Sequence, residues 1–320
     1  MPFMNEILGC TSLSIVGMGK NCGKTECLNY ILRRLPLGKC NVCVTSVGLD
    51  GEGTDQVTHT SKPEIYLREG MYFSTSEYHY RKRMLVSEIM GISDYTTALG
   101  RVITAKTLYP GKVLLSGPST TASLKRWMDG LGAFGITLSV IDGALSRMSS
   151  ASPALSESMI LATGAALSSD MQLLVARTAF AVGLICLPEF HAQDSHDFSS
   201  VTVSAMSPYE GIPQGVTAVY VSGALTDSLL ERIGREKALK DFTVVIKDFT
   251  RAFFSMERYA AFRKAGGTLA VECRSRLIAI CVNPVAPNGY RLDSDRLCSA
   301  LALKTGMPVY DLLKRGNYEA

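Results

Sequence analysis

The stretch SLSIVGMGKNCGKTECLNYILRRL, beginning at Ser12, constrains the fold more than any other part of the chain. An apolar run gives way to a glycine-bearing turn and then to Gly-Lys-Thr. Leu28, Ile31, Leu32 and Leu35 follow at helical spacing, so the segment predicts a buried strand, a tight turn and an amphipathic helix. Such a turn suits an anion: glycines let backbone N–H groups converge on phosphate oxygens, and the helix N-terminus adds the positive end of its dipole. Lys24 is placed to reach outer phosphates and the Thr25 hydroxyl to ligate Mg²⁺. The common pattern G-x-x-x-x-G-K-[ST] would put a glycine where this chain has Met18, flanked by Gly17 and Gly19. Read from Gly17, the loop is G-x-x-x-x-x-G-K-T, one residue longer. The expected nucleotide-binding set is therefore Gly17, Gly19, Lys20, Asn21, Cys22, Gly23, Lys24 and Thr25. Lys20 is a second cation that either meets phosphate or stands in solvent. The competing explanation, a surface turn with Gly-Lys-Thr by chance, does not account for the strand before it and the helix after it.

Further short apolar runs alternate with helix-like segments, the pattern of βα units around a largely parallel sheet with helices on both faces. The predicted strands are 12–16, 42–47, 112–115, 136–141, 217–221, 243–246 and 277–282. Residues 54–108 have a different texture, with short extended pieces at 65–67 and 71–74, and read as an insertion or hairpin beside the sheet. The βα rhythm resumes after a polar stretch at 191–215. The expected organisation is a nucleotide-binding domain over 1–204 and a C-terminal α/β half over 205–320.

Ligands of open α/β sheets sit at the C-terminal ends of strands, and a bound triphosphate needs a metal anchor there. Asp50, in VTSVGLDGEGTD, and Asp142, in ITLSVIDGALSR, are the two candidates. Either can hold Mg²⁺ directly or through water, and either can be a turn residue instead. Asn283, straight after an apolar run, resembles the base-reading Asn of dethiobiotin-synthetase-like folds, whose loop spacing is similar as well; a plain turn before a helix at Asp293 is the alternative. Glu52, Asp55, Lys62, Arg147 and Lys247 lie in or near strand exits without forming a recognisable catalytic set. Neither G-x-S-x-G nor H-E-x-x-H occurs, which removes support for those hydrolase classes.

Composition narrows the partners. With 33 Lys+Arg against 29 Asp+Glu the net charge is +4, too mild for a nucleic-acid binder, and the one tight basic run, Arg81 to Arg83, reads as a solvated face. The longest apolar stretch, 171–188, is interrupted by Arg177 and falls short of a membrane span, so no membrane role is expected. Nine cysteines and a start without a basic leader point to thiols in a reducing cytoplasm. The Cys40/Cys43 pair lacks the further ligands of a zinc site, and His191 and His196 with Asp194 and Asp197 fit no ligand spacing.

Several strings together, GKNCGKTECLNYIL, TSVGLDGEGTDQVT, LLSGPST, VIDGALSRMSSASPA, LATGAALSSDM and VNPVAPNGY, resemble the small subunit of lysine 5,6-aminomutase reactivase. The resemblance runs from about Ser14 to Pro188 and again near Asn283 to Tyr290; IDGALSR-x-S and TGAALS-x-DM are its most distinctive parts. It implies a cytoplasmic ATP- and Mg²⁺-binding subunit, a possible ATPase, acting with a MutS-like ATPase subunit on an adenosylcobalamin- and pyridoxal-phosphate-dependent aminomutase. Such a reactivase exchanges damaged cobalamin for intact cofactor; the client is a lysine or ornithine aminomutase of amino-acid fermentation. Carried over by motif, residues Gly17 to Thr25 bind the nucleotide, with Asp50 and Asp142 close by. Met18 departs from the common loop pattern, which weakens the case for hydrolysis more than for binding. The cobalamin-ligating D-x-H-x-x-G motif is absent. The alternatives are an ATP-dependent ligase or kinase resembling dethiobiotin synthetase, and a phosphate-loop scaffold that does not hydrolyse.

Overall fold

The computed structural model describes residues 2–47, 64–118, 120–144, 156–191, 201–203, 212, 215–236, 238–240 and 242–316. In chain order the strands of the first half are β1 (Ser12–Gly17), β2 (Val42–Ser46), β3 (Ile65–Leu67), β4 (Tyr72–Ser76), β5 (Met84–Thr97), β6 (Gly100–Val113), β7 (Leu138–Ala144) and β8 (Ser158–Gly164). Then come β9 (Val201–Val203), β10 (Ala218–Val221), β11 (Leu225–Thr226), β12 (Thr243–Ile246), β13 (Ala252–Phe253), β14 (Thr268–Val271), β15 (Arg276–Asn283) and β16 (Val309–Asp311). The helices are α1 (Met4–Leu8), α2 (Lys24–Arg34), α3 (Glu77–Arg81), α4 (Thr121–Leu131), α5 (Met171–Ile185), α6 (Asp227–Glu236), α7 (Met256–Lys264), α8 (Ser294–Thr305) and α9 (Leu312–Gly316).

Two compact units result. One comprises Met1–Ala151, Leu155–Thr178 and Leu277–Ala320, the other Ser152–Ala154 and Ala179–Arg276. A single cut near residue 205 does not describe this division, because β15 and β16 return to the first unit's sheet.

The large sheet has ten strands in the order β16-β15-β8-β1-β7-β2-β4-β6-β3, with β5 pairing to β6. β1 pairs parallel with β7 and β8, and β2 pairs parallel with β7 and β4. β6 runs antiparallel to β3, β4 and β5. The fold is thus mixed α/β around a mainly parallel sheet. All six residues of β1 are buried, as a strand covered on both faces requires.

Side chains alternate between those faces. Ile15, Val42, Val44 and Val140 join Leu28, Ile31 and Leu32 of α2 in one core cluster. Cys43 and Ile141 join Leu124, Trp127 and Leu131 of α4 in another. The helical repeat seen in the sequence accordingly buries Leu28, Ile31, Leu32 and Leu35, each worth ~1.5–3 kcal/mol in removed apolar surface. On the other face, Trp127 Nε1 donates to Ser74 Oγ at 2.8 Å and the Thr120 side chain caps α4 through the Ser123 amide.

Three expectations need correcting. The run 112–115 straddles the end of the fourteen-residue β6 at Val113 and is not a separate strand. The region after residue 63 does form a hairpin, β5/β6, but within the large sheet rather than beside it, since Cys43 of β2 pairs with Tyr72 of β4 and β4 pairs with β6. β8, with sequence SMILATG, was not among the predicted strands; its fully buried residues carry no period-2 polarity to announce it. The apolar stretch from 171 forms α5, and no helix among the described residues is long and apolar enough to cross a membrane.

The second unit holds a parallel sheet in the order β14-β12-β10-β9. Phe254 stacks on Tyr259, with ring centroids 5.3 Å apart, and Phe180 closes on Tyr259 at 6.0 Å. At the end of β12, Asp248 accepts from the Thr250 amide at 2.9 Å.

Candidate functional site at the exit of β1

The consecutive strands β7 and β8 flank β1 on opposite sides, so the turn leaving β1 opens where the strand order reverses, the usual ligand crevice of such sheets. Backbone geometry makes that turn tight. The Met18 amide donates to the Ala162 carbonyl of β8 at 2.9 Å. Asn21 has φ 57° and Gly23 φ 90°, both left-handed, a region Asn tolerates and Gly occupies without cost.

A side chain at three of the glycines would have to displace a neighbour, most rigidly at Gly23 with its φ of 90°. A Cβ on Gly17 would lie 2.8 Å from Cys22 Sγ, one on Gly19 2.7 Å from Leu167 Cδ2, and one on Gly23 2.7 Å from Asn283 Cβ. Cys22 packs inside the turn with burial raising its thiol above the ordinary range, and the N–H groups of Gly19, Lys24 and Cys22 with the Lys24 charge pull the other way. Lys20 is exposed on the turn.

Gly23 leads directly into α2, an eleven-residue helix whose N-cap makes no side-chain hydrogen bond and whose first turn carries orphan amides of the kind that receive an acceptor. Thr25 is half-buried in that turn. Lys24 Nζ approaches Asp142 Oδ1 at 3.0 Å, with both side chains largely withdrawn from solvent. The approach lacks hydrogen-bond direction, so Oδ1 holds its cation as an ion pair and accepts no directed hydrogen bond. Asp142 sits on β7 opposite Ile15 of β1 and Ser46 of β2, and its carbonyl receives the Ser46 hydroxyl at 3.3 Å and the Val47 amide at 3.2 Å.

Asn283, at the end of β15, forms the wall behind Gly23. Its carbonyl accepts from the Ala165 amide at 2.9 Å, its Oδ1 accepts from the Val285 amide at 3.0 Å, and a Cβ on Gly164 would strike its carbonyl oxygen at 2.2 Å. Below, the Cys27 thiol of α2 meets Cys281 of β15; that contact, and then burial, hold the Cys27 thiol well above its usual range.

The fold thus brings Gly17, Gly19, Lys20, Asn21, Cys22, Gly23, Lys24 and Thr25 together with Asp142 and Asn283. Asp50 lies outside the described residues, as do Glu52, Asp55, Lys62, Arg147, His196, Asp194 and Asp197. Lys247 is exposed in the second unit, and Asp293 caps α8 through the Arg296 amide. Cys43 contacts Ser74 Oγ, and burial pushes its thiol up to about 12. All nine cysteines are unbridged.

Sequence reasoning overlooked Ser46, Gly164 and Leu167 as parts of the site. The string LATGAALS, noted only for its resemblance, was the signal for the latter two. No family model, curated protein or solved structure compared with the chain matches it.

Proposed function

We propose that the protein belongs to the phosphate-loop nucleotide-binding class, with residues Gly17 to Thr25 holding the triphosphate of ATP. The observation that carries this reading is the Lys24–Asp142 pair, 3.0 Å apart, at the mouth of a glycine turn that opens an uncapped helix. Amides of the turn and of the first turn of α2 receive phosphate oxygens, and Lys24 neutralises the outer phosphates.

Mg²⁺ fits the same donors. It takes one or two carboxylates plus phosphate and water rather than an all-protein cage, and Asp142 with the Thr25 hydroxyl supplies that modest set. Metal-bound ATP brings an electrophilic γ-phosphoryl group. Lys24 orients it, Asp142 steadies the cation that accompanies it, and the packing of Leu167 and Asn283 against the glycines keeps the turn from moving. Asn283 Oδ1 is already engaged, so a base is met by its Nδ2 donor.

More particularly, the reading is an ATP-binding cytoplasmic subunit of a reactivase, working with a MutS-like ATPase subunit to exchange damaged cobalamin in a lysine or ornithine aminomutase. It rests on the sequence resemblance together with the nucleotide site. ATP can drive such remodelling only through different affinities for two conformations.

The test has two stages. MgATP titration by calorimetry should give saturable binding, and Lys24→Ala should weaken it ~100-fold or more; equal affinity in that variant sinks the site. Reactivation of a substrate-inactivated aminomutase by the MutS-like subunit and ATP should then require this chain. Reactivation without it removes the particular role and leaves nucleotide binding standing. Turnover of ATP with a small carboxylic acid acceptor instead assigns the ligase or kinase class.

A further inference from the structure

β5 is an edge strand of fourteen residues whose only pairing among the described residues is with β6. Ile89 stands opposite Ala105 and Ile92 opposite Ile103, so both extend the face on which Ala105 and Ile103 are buried in the main core. Yet Ile89 is 47% exposed, Ile92 48%, Val86 52% and Met84 60%. Soluble edge strands are ordinarily blunted by Lys, Pro or inward charge. β5 contains neither Lys nor Pro; Glu88 and the irregular register with β6 are its edge-protecting features, and beside them these apolar side chains stay exposed.

The pattern along the strand identifies the occupant. Val86, Ile89 and Ile92 are evenly spaced about Ile89, whereas charge is asymmetric: Arg81, Lys82 and Arg83 precede the strand and Asp94 lies towards its end. Asp94 and its partner Arg126, 3.6 Å apart, are both mostly exposed, and Lys82 rests on the Tyr78 ring. A strand that exposes Val86, Ile89 and Ile92, carries Glu88 opposite Lys106 of β6, follows a basic run and has Asp94 towards its end is complementary to itself run in the opposite direction.

The geometry points to a second copy of this chain on that edge, β5 pairing antiparallel with the β5 of its partner about a two-fold axis at Ile89. Val86 of each copy then faces Ile92 of the other, and the basic end of each strand meets the acidic end of its mate. The contact is isologous and closes at two copies.

Sedimentation equilibrium of the full-length chain at micromolar concentration should show a dimer. Ile89→Lys should weaken association ~100-fold or more, with a circular dichroism melt confirming that the variant folds. Lys82→Glu and Asp94→Lys should each weaken association, and the double variant should recover to within ~10-fold of the parent. Should Ile89→Lys fail to fold, Ile89→Cys decides. With oxidised glutathione, the introduced thiols of two copies lose their protons and two electrons to form one disulfide, and glutathione disulfide becomes two glutathione thiols. Covalent dimer beyond that of the parent chain is expected from Ile89→Cys and not from Met84→Cys, which lies off the axis. A monomeric parent chain, a dimer indifferent to a folded Ile89→Lys, or an Ile89→Cys chain that does not link overturns the proposal.

Discussion

β1 and β5 belong to one sheet and represent opposite ways of using a strand. β1 is six residues long, buried throughout and paired on both edges; β5 is fourteen residues long with no residue buried. Around β1 every neighbour is fixed, so the turn that leaves it is held by contacts closer than a methyl group would permit. Around β5 apolar side chains continue past the covered core. A site that positions charge needs the first kind of surroundings, because a preorganised turn loses no energy to rearrangement when its ligand arrives. A surface that joins another molecule needs the second.

The contrast is sharpest in the core. Ile15→Ala in β1 should cost ~4 kcal/mol of unfolding free energy, read from urea denaturation; a loss below ~1.5 kcal/mol would mean that the centre of the sheet is not close-packed. Next comes Gly23→Ala, which places a Cβ at φ 90° against Asn283. It should destabilise by ~2 kcal/mol and weaken nucleotide binding along with stability. Asn283→Gly in the same background should return part of the stability, since it removes the struck atom.

Smaller effects probe the charges. Asp142→Asn keeps the shape of the side chain and removes its charge, so affinity for MgATP should fall ~10-fold while metal-free ATP binds at nearly parental strength. Equal losses with and without Mg²⁺ would assign Asp142 to holding Lys24 alone. The least change in monomer stability is expected at the edge: Ile89→Ala should alter unfolding free energy by ~0.5 kcal/mol or less below the association range. A loss as large as that of Ile15→Ala would erase the distinction between the two strands.

Sequence reasoning located β1, its turn and α2 because all their signals are local: apolar continuity, glycines and a helical repeat within one short segment. It also placed β2, β10 and β12 to within a residue or so. It puts Asp142 second to Asp50 as the metal anchor, because which strand lies beside β1 is a matter of parallel pairing between distant segments. Asn283 reads from the sequence as either a base-contact residue or a plain turn before a helix, and the fold adds that it backs Gly23. The hairpin was half legible. The extended pieces at 65–67 and 71–74 are β3 and β4; β5 goes unread because its alternation is broken by register shifts, and nothing local announces that β4 joins β2.

What the chain's own order determined is the strand-turn-helix with Lys24 and Thr25 at its mouth, since backbone sterics and side-chain periodicity act over a few residues. Tertiary structure alone decided that Asp142 faces Lys24, that Asn283 and Leu167 close on the glycines, and that β15 and β16 return to the first sheet. Those outcomes depend on which strands lie side by side, and in a parallel sheet neighbours are chosen by packing and hydrogen bonding across long connections that no local pattern encodes.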